Sequence, residues 1–277
     1  MNASDFTYLA DVLKRRSGLL LTANKTHLVA SRLAPVARRY GFRKTDDLLS
    51  ELCHAPEELL RVVTEAMTTN DTSFFRDRAV FEYFRGVILP SMLSARAKSR
   101  CLRIWCAGAS SGQEPYSLAM IVDEARLARE WRVEIIATDL SSDMVARAME
   151  GRYSNYETQR GVSAQSLVRH FSQEDGGWRL NERIRRMVTF RAFNLLDSFG
   201  WLGEIDVIFC RNVFLYFAPQ EKRQCLDRLS AAIADDGYLM LGASETMAGA
   251  SKAFAEVEDV RGCFRKVRAA RPIALAS

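Results

Sequence analysis

Histidine is scarce in this 277-residue chain, with only His27, His54 and His170, far apart from one another. Six cysteines (Cys53, Cys101, Cys106, Cys210, Cys225 and Cys263) are scattered without a single C-x-x-C pair. With no clustered ligands at metal-site spacing, no metal is expected. Cys106 and Cys210 sit inside apolar runs, where a thiol behaves as a small hydrophobe, and all six are expected to be reduced. No apolar run approaches the roughly 20 residues that a spanning helix needs, so no membrane insertion is expected. The opening residues, Met1-Asn-Ala-Ser-Asp-Phe6, carry neither the basic nor the apolar region of a signal peptide, which points to a cytoplasmic protein. Internal repeats and low-complexity tracts are missing as well.

What remains is an ordinary globular composition, on a chain long enough for one large α/β domain and a small helical one. The formal net charge of +5 is too modest to choose among nucleic acid, an acidic protein surface or neither. Its distribution says more. Lys25, Arg32, Arg38, Arg39, Arg43 and Lys44 fall in one stretch without an acid, and Arg179, Arg183, Arg185, Arg186 and Arg191 form a second cluster. Taken alone, each reads equally well as a solvated helix face or a docking surface.

Residues 1 to 70 show helical spacing only. Ser4 can cap a helix that aligns Phe6, Leu9, Val12 and Leu13. Asn24 can cap a second that Pro35 should kink or end, Thr45 a third, and Pro56 suits the first turn of a fourth. From about residue 100, strands alternate with helices. Residues 102–107, 133–138, 188–193 and 205–210 read as strands, and Asp236-Gly237 as a turn into a fifth at 238–241. That alternation implies a mostly parallel, doubly wound sheet. It lapses between residues 151 and 187, where Gly176-Gly177 predicts a hairpin and hence a small β insertion. The last residues, 271–277, read as a disordered tail.

Ligands of such sheets bind at the carboxyl ends of the strands. Ala107-Gly108-Ala109-Ser110-Ser111-Gly112 is a turn of small residues directly after a strand, which lets the backbone approach a ligand closely. Asp139 ends the next strand, where a carboxylate can accept from both hydroxyls of a ribose. A nucleoside-bearing cofactor fits both. The turn lacks the G-x-G-x-x-G spacing that receives a pyrophosphate, and it leads to Glu114, an acid that repels phosphate and attracts an ammonium or sulfonium. Both details favour S-adenosylmethionine over a dinucleotide.

Four strings then fall into place together: Met67-Thr-Thr-Asn-Asp-Thr-Ser-Phe-Phe-Arg76, Gly112-Gln-Glu-Pro-Tyr-Ser117, Phe209-Cys-Arg-Asn-Val-Phe-Leu-Tyr-Phe217 and Gly242-Ala-Ser-Glu245. In this combination the chain resembles the CheR family, bacterial methyltransferases that esterify glutamates of chemotaxis receptors. The resemblance implies an α/β fold: a Rossmann-like class I S-adenosylmethionine methyltransferase domain (residues 71–270) with a small β insertion at about 152–187, preceded by an all-helical N-terminal domain (1–70) that docks substrate. It implies cofactor contacts from Asn70, Thr72, Arg76, Gly108, Glu114, Asp139, Asn194, Leu195, Arg211 and Asn212, with Asn194 and Leu195 beside the adenine. Arg76 and Tyr216 are its candidates for positioning the reacting groups.

Transfer to a glutamate carboxylate, giving the γ-methyl ester and S-adenosyl-L-homocysteine, needs no histidine, since the acceptor is ionised near neutral pH. The implied partner is the acidic, cytoplasmic helical region of methyl-accepting chemoreceptors, and Arg32, Arg38, Arg39 and Arg43 are the expected docking cations. The insertion is short, which speaks against binding of a receptor's C-terminal tail peptide. Nucleic acid is disfavoured, because Arg211-Asn-Val-Phe-Leu-Tyr216 has no proline where adenine methyltransferases carry an Asn/Asp-Pro-Pro-Tyr/Phe string. The rivals are a CheR-like enzyme serving a receptor outside chemotaxis and a non-catalytic module that binds S-adenosylmethionine and a receptor.

Overall fold

The computed structural model describes residues 2–247 and 249–267. The tail expected at 271–277 lies outside the described residues.

Four helices build the first unit: α1 (Ala3–Ser17), α2 (Thr26–Arg39), α3 (Thr45–Ser50) and α4 (Glu57–Ala66). Their apolar stripes close on a core of Leu9, Leu13, Leu33, Leu48, Leu52 and Val63. The caps differ from the sequence reading. Asn2, not Ser4, caps α1, its Oδ1 accepting from the Asp5 N–H at 2.8 Å. Asn24 lies in a separate 3₁₀ turn before α2. Pro35 does not end α2, which runs on to Arg39. Pro35 and Ser31, four residues earlier, are both exposed, so the carbonyl that proline leaves without a donor faces water.

The chain then continues through α5 (Arg78–Tyr83), one wider π turn (Phe84–Ile88) and α6 (Leu89–Ala95) into the α/β unit. There follow β1 (Cys101–Ala107), α7 (Gln113–Glu124), β2 (Arg132–Asp139) and α8 (Ser142–Glu150). The insertion holds β3 (Arg152–Ser154), α9 (Asn155–Gln159), α10 (Ala164–His170), β4 (Phe171–Glu174), β5 (Gly177–Leu180) and α11 (Glu182–Arg185). The main sheet resumes with β6 (Val188–Ala192), β7 (Ile205–Phe209), α12 (Pro219–Ala232), β8 (Ile233–Met240), β9 (Phe254–Glu256) and β10 (Cys263–Lys266).

Seven strands form that sheet in the order β6-β2-β1-β7-β8-β10-β9, parallel from β6 to β8 and antiparallel for the last two. Central strands buried on both faces read as continuous apolar runs, and period-two alternation divides them. Ile104, Cys106, Val207 and Phe209 pack into one layer with α7, while Trp105, Ala107, Ile208 and Cys210 pack into the other with α12. Asp236-Gly237 is not a turn before a strand: it lies inside β8, whose register with β7 shifts between Ile205 and Val207. Strands β9 and β10 carry too few residues for a pattern to show.

The insertion is a three-stranded antiparallel sheet, β3-β5-β4, turned at Gly176 (φ +81°) as the Gly-Gly pair predicts, but it also contains helices. It is wedged against the segment linking the two units. Phe74 packs edge-on against Tyr153 (4.8 Å between centroids) and Phe171 (5.6 Å). Gly161 has φ +116°, and a Cβ there would fall 1.9 Å from the Phe74 carbonyl oxygen. Gly161→Ala therefore combines backbone strain with a backbone clash and is expected to destabilise the protein by about 2 kcal/mol or more, read as a lower melting temperature.

Candidate functional site

Strand order reverses between β1 and β7, and at the carboxyl ends of β1, β2 and β7 lies a cleft that opens to solvent. Its floor is the turn after β1. The N–H groups of Gly108 and Ala109 both donate to the Thr138 carbonyl (2.8 and 2.9 Å), which ties this turn to the end of β2. Gly108 has φ +82°, and Val213 fills the place a Cβ would take, 2.4 Å away, so only glycine fits. From below, the Tyr153 hydroxyl donates to the Ser111 carbonyl at 2.7 Å.

Two buried carboxylates face this floor. Asp139 accepts from the Ser110 N–H (2.7 Å) and the Ser141 N–H (2.9 Å). Burial pushes its carboxyl above the ordinary range, and the backbone donors offset that in part. Glu114 opens α7, and burial likewise raises it, opposed by the guanidinium of Arg211, whose Nη1 lies 2.8 Å from Oε2. Arg211 is itself buried. It also donates to the Arg76 carbonyl (2.8 Å) and to the Asp77 carboxylate, pinning the linker over the cleft. Phe75, Asp77, Ser110 and Asn212 all adopt positive φ around this point, a concentration of backbone strain at one place.

The walls bring together every cofactor residue named from the sequence: Asn70, Thr72, Arg76, Gly108, Glu114, Asp139, Asn194, Leu195, Arg211 and Asn212, with Tyr216 beside them. The Asn70 carbonyl accepts from the Ser110 hydroxyl at 2.9 Å. Arg76 turns toward Asp71, donating to its carbonyl at 2.7 Å with the carboxylate 3.5 Å away. The Asn194 side chain is occupied, donating to the Arg16 carbonyl (2.5 Å) and accepting from the Leu196 N–H (3.0 Å), so it fixes the wall between the units.

Sequence reasoning missed the share taken by the helical unit. Ser17 and Leu19 line the cleft. The segment after α1 pairs with the loop after β7: the Leu20 N–H donates to the Tyr216 carbonyl (2.7 Å) and the Ala218 N–H to the Gly18 carbonyl (2.9 Å). Lys25 sits over the Tyr216 ring, 5.8 Å from its centre. Glu245 was missed too. It is buried and accepts from three backbone N–H groups, those of Asn212 (2.7 Å), Phe214 (2.7 Å) and Gly242 (2.6 Å).

The basic stretches divide. Arg38, Arg39 and Arg43 are exposed on and just beyond α2. Arg32 differs from them: it donates to the Met67 carbonyl (2.6 Å) and the Thr69 hydroxyl (2.9 Å), bracing the linker. In the second cluster, Arg179, Arg183 and Arg186 pair with Glu174, Asp123 and Glu182, and Arg191 stacks on Trp201. Among the described residues no group of acids, histidines and cysteines is placed to hold a metal, and no helix is long and apolar enough to cross a membrane.

Comparison with known proteins gives a consistent result. The family described as "CheR methyltransferase, SAM binding domain" matches residues 70–263, and "CheR methyltransferase, all-alpha domain" matches residues 4–68. Chemotaxis protein methyltransferase 1 of Pseudomonas aeruginosa is 40% identical over 249 residues, 88% of this chain and 90% of that one. Chemotaxis protein methyltransferase Cher2 of Pseudomonas putida is 39% identical, over 88% and 91% of the two chains. Chemotaxis protein methyltransferase 1 of Vibrio cholerae is 37% identical, over 92% and 94%.

Burial raises Glu114, Asp139 and Glu245, so the folded chain holds protons on them more tightly than the unfolded chain does. Their contribution to stability is therefore largest at low pH and shrinks as pH rises from about 4 through the raised folded values. Capture of an ammonium or a ribose diol by Glu114 and Asp139 would run the other way, because it would need the ionised forms. Affinity for S-adenosylhomocysteine is expected to fall on acidification while pH is still above the ordinary carboxylate range of about 4. Calorimetric titration at a series of pH values checks this, and an affinity that stays flat until that range would contradict it.

Proposed function

Because this chain belongs to the CheR methyltransferase family, with an all-helical and an S-adenosylmethionine-binding domain in succession, we propose that it methylates glutamate side chains of chemoreceptors. The product would be the glutamate γ-methyl ester. The observation that carries the reading is the pair of buried carboxylates, Asp139 and Glu114, lining one glycine-floored cleft.

The residues fit S-adenosylmethionine on their own chemistry. Asp139 accepts backbone N–H groups at both oxygens and still has acceptor capacity for a ribose diol. Glu114 offers a carboxylate to an ammonium, while Arg211 keeps that carboxylate from standing alone in the interior. When bound, the cofactor supplies an activated methyl group on a sulfonium. The protein's own task is alignment and exclusion of water. Leu19, Val213 and Phe217 provide the apolar lining, and Tyr216 and Arg76 line the same cleft, where an acceptor must meet the methyl group. A guanidinium such as that of Arg76 can hold a carboxylate in two-point contact.

We assign docking of the receptor's acidic helical region to Arg38, Arg39 and Arg43. Arg147 on α8 pairs with Glu157 of the insertion (2.6 Å), and Arg152 pairs with Glu174 within it (3.1 Å); no tail peptide enters the reading.

Two outcomes are expected. Methyl label transferred from S-adenosylmethionine to receptor-containing membranes should be released by alkali as volatile methanol; alkali-stable label would exclude the ester. Reversing Arg38, Arg39 and Arg43 to glutamate should raise KM for receptor about tenfold and flatten its salt dependence, with cofactor affinity unchanged. An unaltered KM would remove the docking assignment.

A further inference from the structure

Gly242-Ala-Ser-Glu245 contributes only backbone and one side chain near the cleft, and that side chain never lines it. We propose that Glu245 is a positioning residue for the cofactor: it fixes the loop after β7 in the shape that presents Arg211, Asn212 and Val213, given that the cleft takes S-adenosylmethionine.

The Glu245 side chain is 6% exposed and no lysine or arginine bonds to it among the described residues. Lys222 acts on it through its charge, while its ammonium is engaged with the Thr246 carbonyl at 2.7 Å. A buried carboxylate without a bonded cation is costly, so its three backbone donors define what it is for. Two of them, from Asn212 and Phe214, bracket Val213 on the loop; the third comes from Gly242, at the end of β8. Oε2 takes two donors and Oε1 the other, a demand for acceptors on both oxygens that only a carboxylate meets.

The loop needs such a clamp. Asn212 is held at φ +60°, a left-handed conformation that is disfavoured for most residues. Gly242 leaves space for it: a Cβ there would fall 2.7 Å from the Asn212 side-chain nitrogen and 2.9 Å from Glu245 Oε2. What the loop presents is sensitive to small shifts. Val213 seats directly on Gly108 at the cleft floor, and Arg211 makes its ion pair with Glu114 one residue before the clamped N–H. Glu245 itself does not line the cleft; it acts there by holding these residues and by the push of its charge on Glu114.

The competing view is that Glu245 merely ties β8 to β7 for stability. Glu256 supplies the control, since it accepts from the Gly262 N–H (3.2 Å) in the same sheet without bordering the cleft. In Glu245→Gln the amide oxygen can keep two N–H donors, but its NH₂ then faces the third, and the loop must let go on one side. Affinity for both S-adenosylmethionine and S-adenosylhomocysteine is expected to fall at least about tenfold, or about 1.4 kcal/mol. KM for cofactor should rise while kcat stays within about threefold, the mark of an interaction lost equally from ground and transition states. Glu256→Gln should leave both affinities unchanged.

Wild-type titration comes first: no binding of either compound there sinks the cofactor reading itself. Normal wild-type binding, with a lower melting temperature but unchanged affinities in folded Glu245→Gln, sinks the positioning role alone. Should Glu245→Gln fail to fold, Gly242→Ala keeps the carboxylate and crowds Asn212 instead. The same loss of affinity is then expected, and its absence overturns the proposal.

Discussion

Arg211 is where the parts of this protein meet. Its guanidinium is buried and reaches Glu114 on α7, Asp77 at the start of α5 and the carbonyl of Arg76 in the linker. Removing one partner from a buried pair leaves the other charge uncompensated, which costs about 3–5 kcal/mol. The interaction therefore does more than orient one acid. It holds the linker against the first turn of α7, and that linker carries Asn70, Thr72 and Arg76 into the cleft. Phe81 lies under the same guanidinium, 5.6 Å from ring centre to charge, so the core of the α/β unit backs it from the far side.

The helical unit is a wall of the cleft as well as a platform beside it. Ser17 and Leu19 line the cavity, the segment after α1 pairs with residues 216–218, and Glu65 on α4 accepts from the N–H and hydroxyl of Ser142 at the start of α8. Ligand binding and the seating of the two units are thus coupled. Whatever the cleft binds also stabilises this arrangement, in proportion to how far its concentration exceeds its Kd.

Much of the architecture was legible because central parallel strands must be apolar on both faces. Runs such as Ile104-Trp-Cys-Ala107 and Val207-Ile-Phe-Cys210 announce themselves. Glu114 and Asp139 were legible for a different reason, since Asp139 ends a strand and Glu114 opens the helix after one, places that the topology fixes. The features missed depend on distant partners. Glu245 is 33 residues from Asn212, and nothing local in its string marks an acceptor for that loop. Arg32 looks like the other cations of its stretch until Met67 and Thr69 come alongside it. The Asn2 cap displaced Ser4 because both residue types suit the position and only the chain's geometry chooses between them.

One consequence follows from the placement of α2. Its first turn adjoins Lys25, which lies over Tyr216 in the cleft wall, and its last carries Arg38 and Arg39. Fourteen helical residues at 1.5 Å each set these two ends about 20 Å apart. With Arg38 and Arg39 as docking cations, the helix would act as a ruler. A helical partner laid along it would present its acceptor at one end and its binding acids roughly four turns away at the other. Such a partner would be chosen by the interval between two features of its surface, and a single acidic residue in an otherwise suitable sequence would not meet both ends at once.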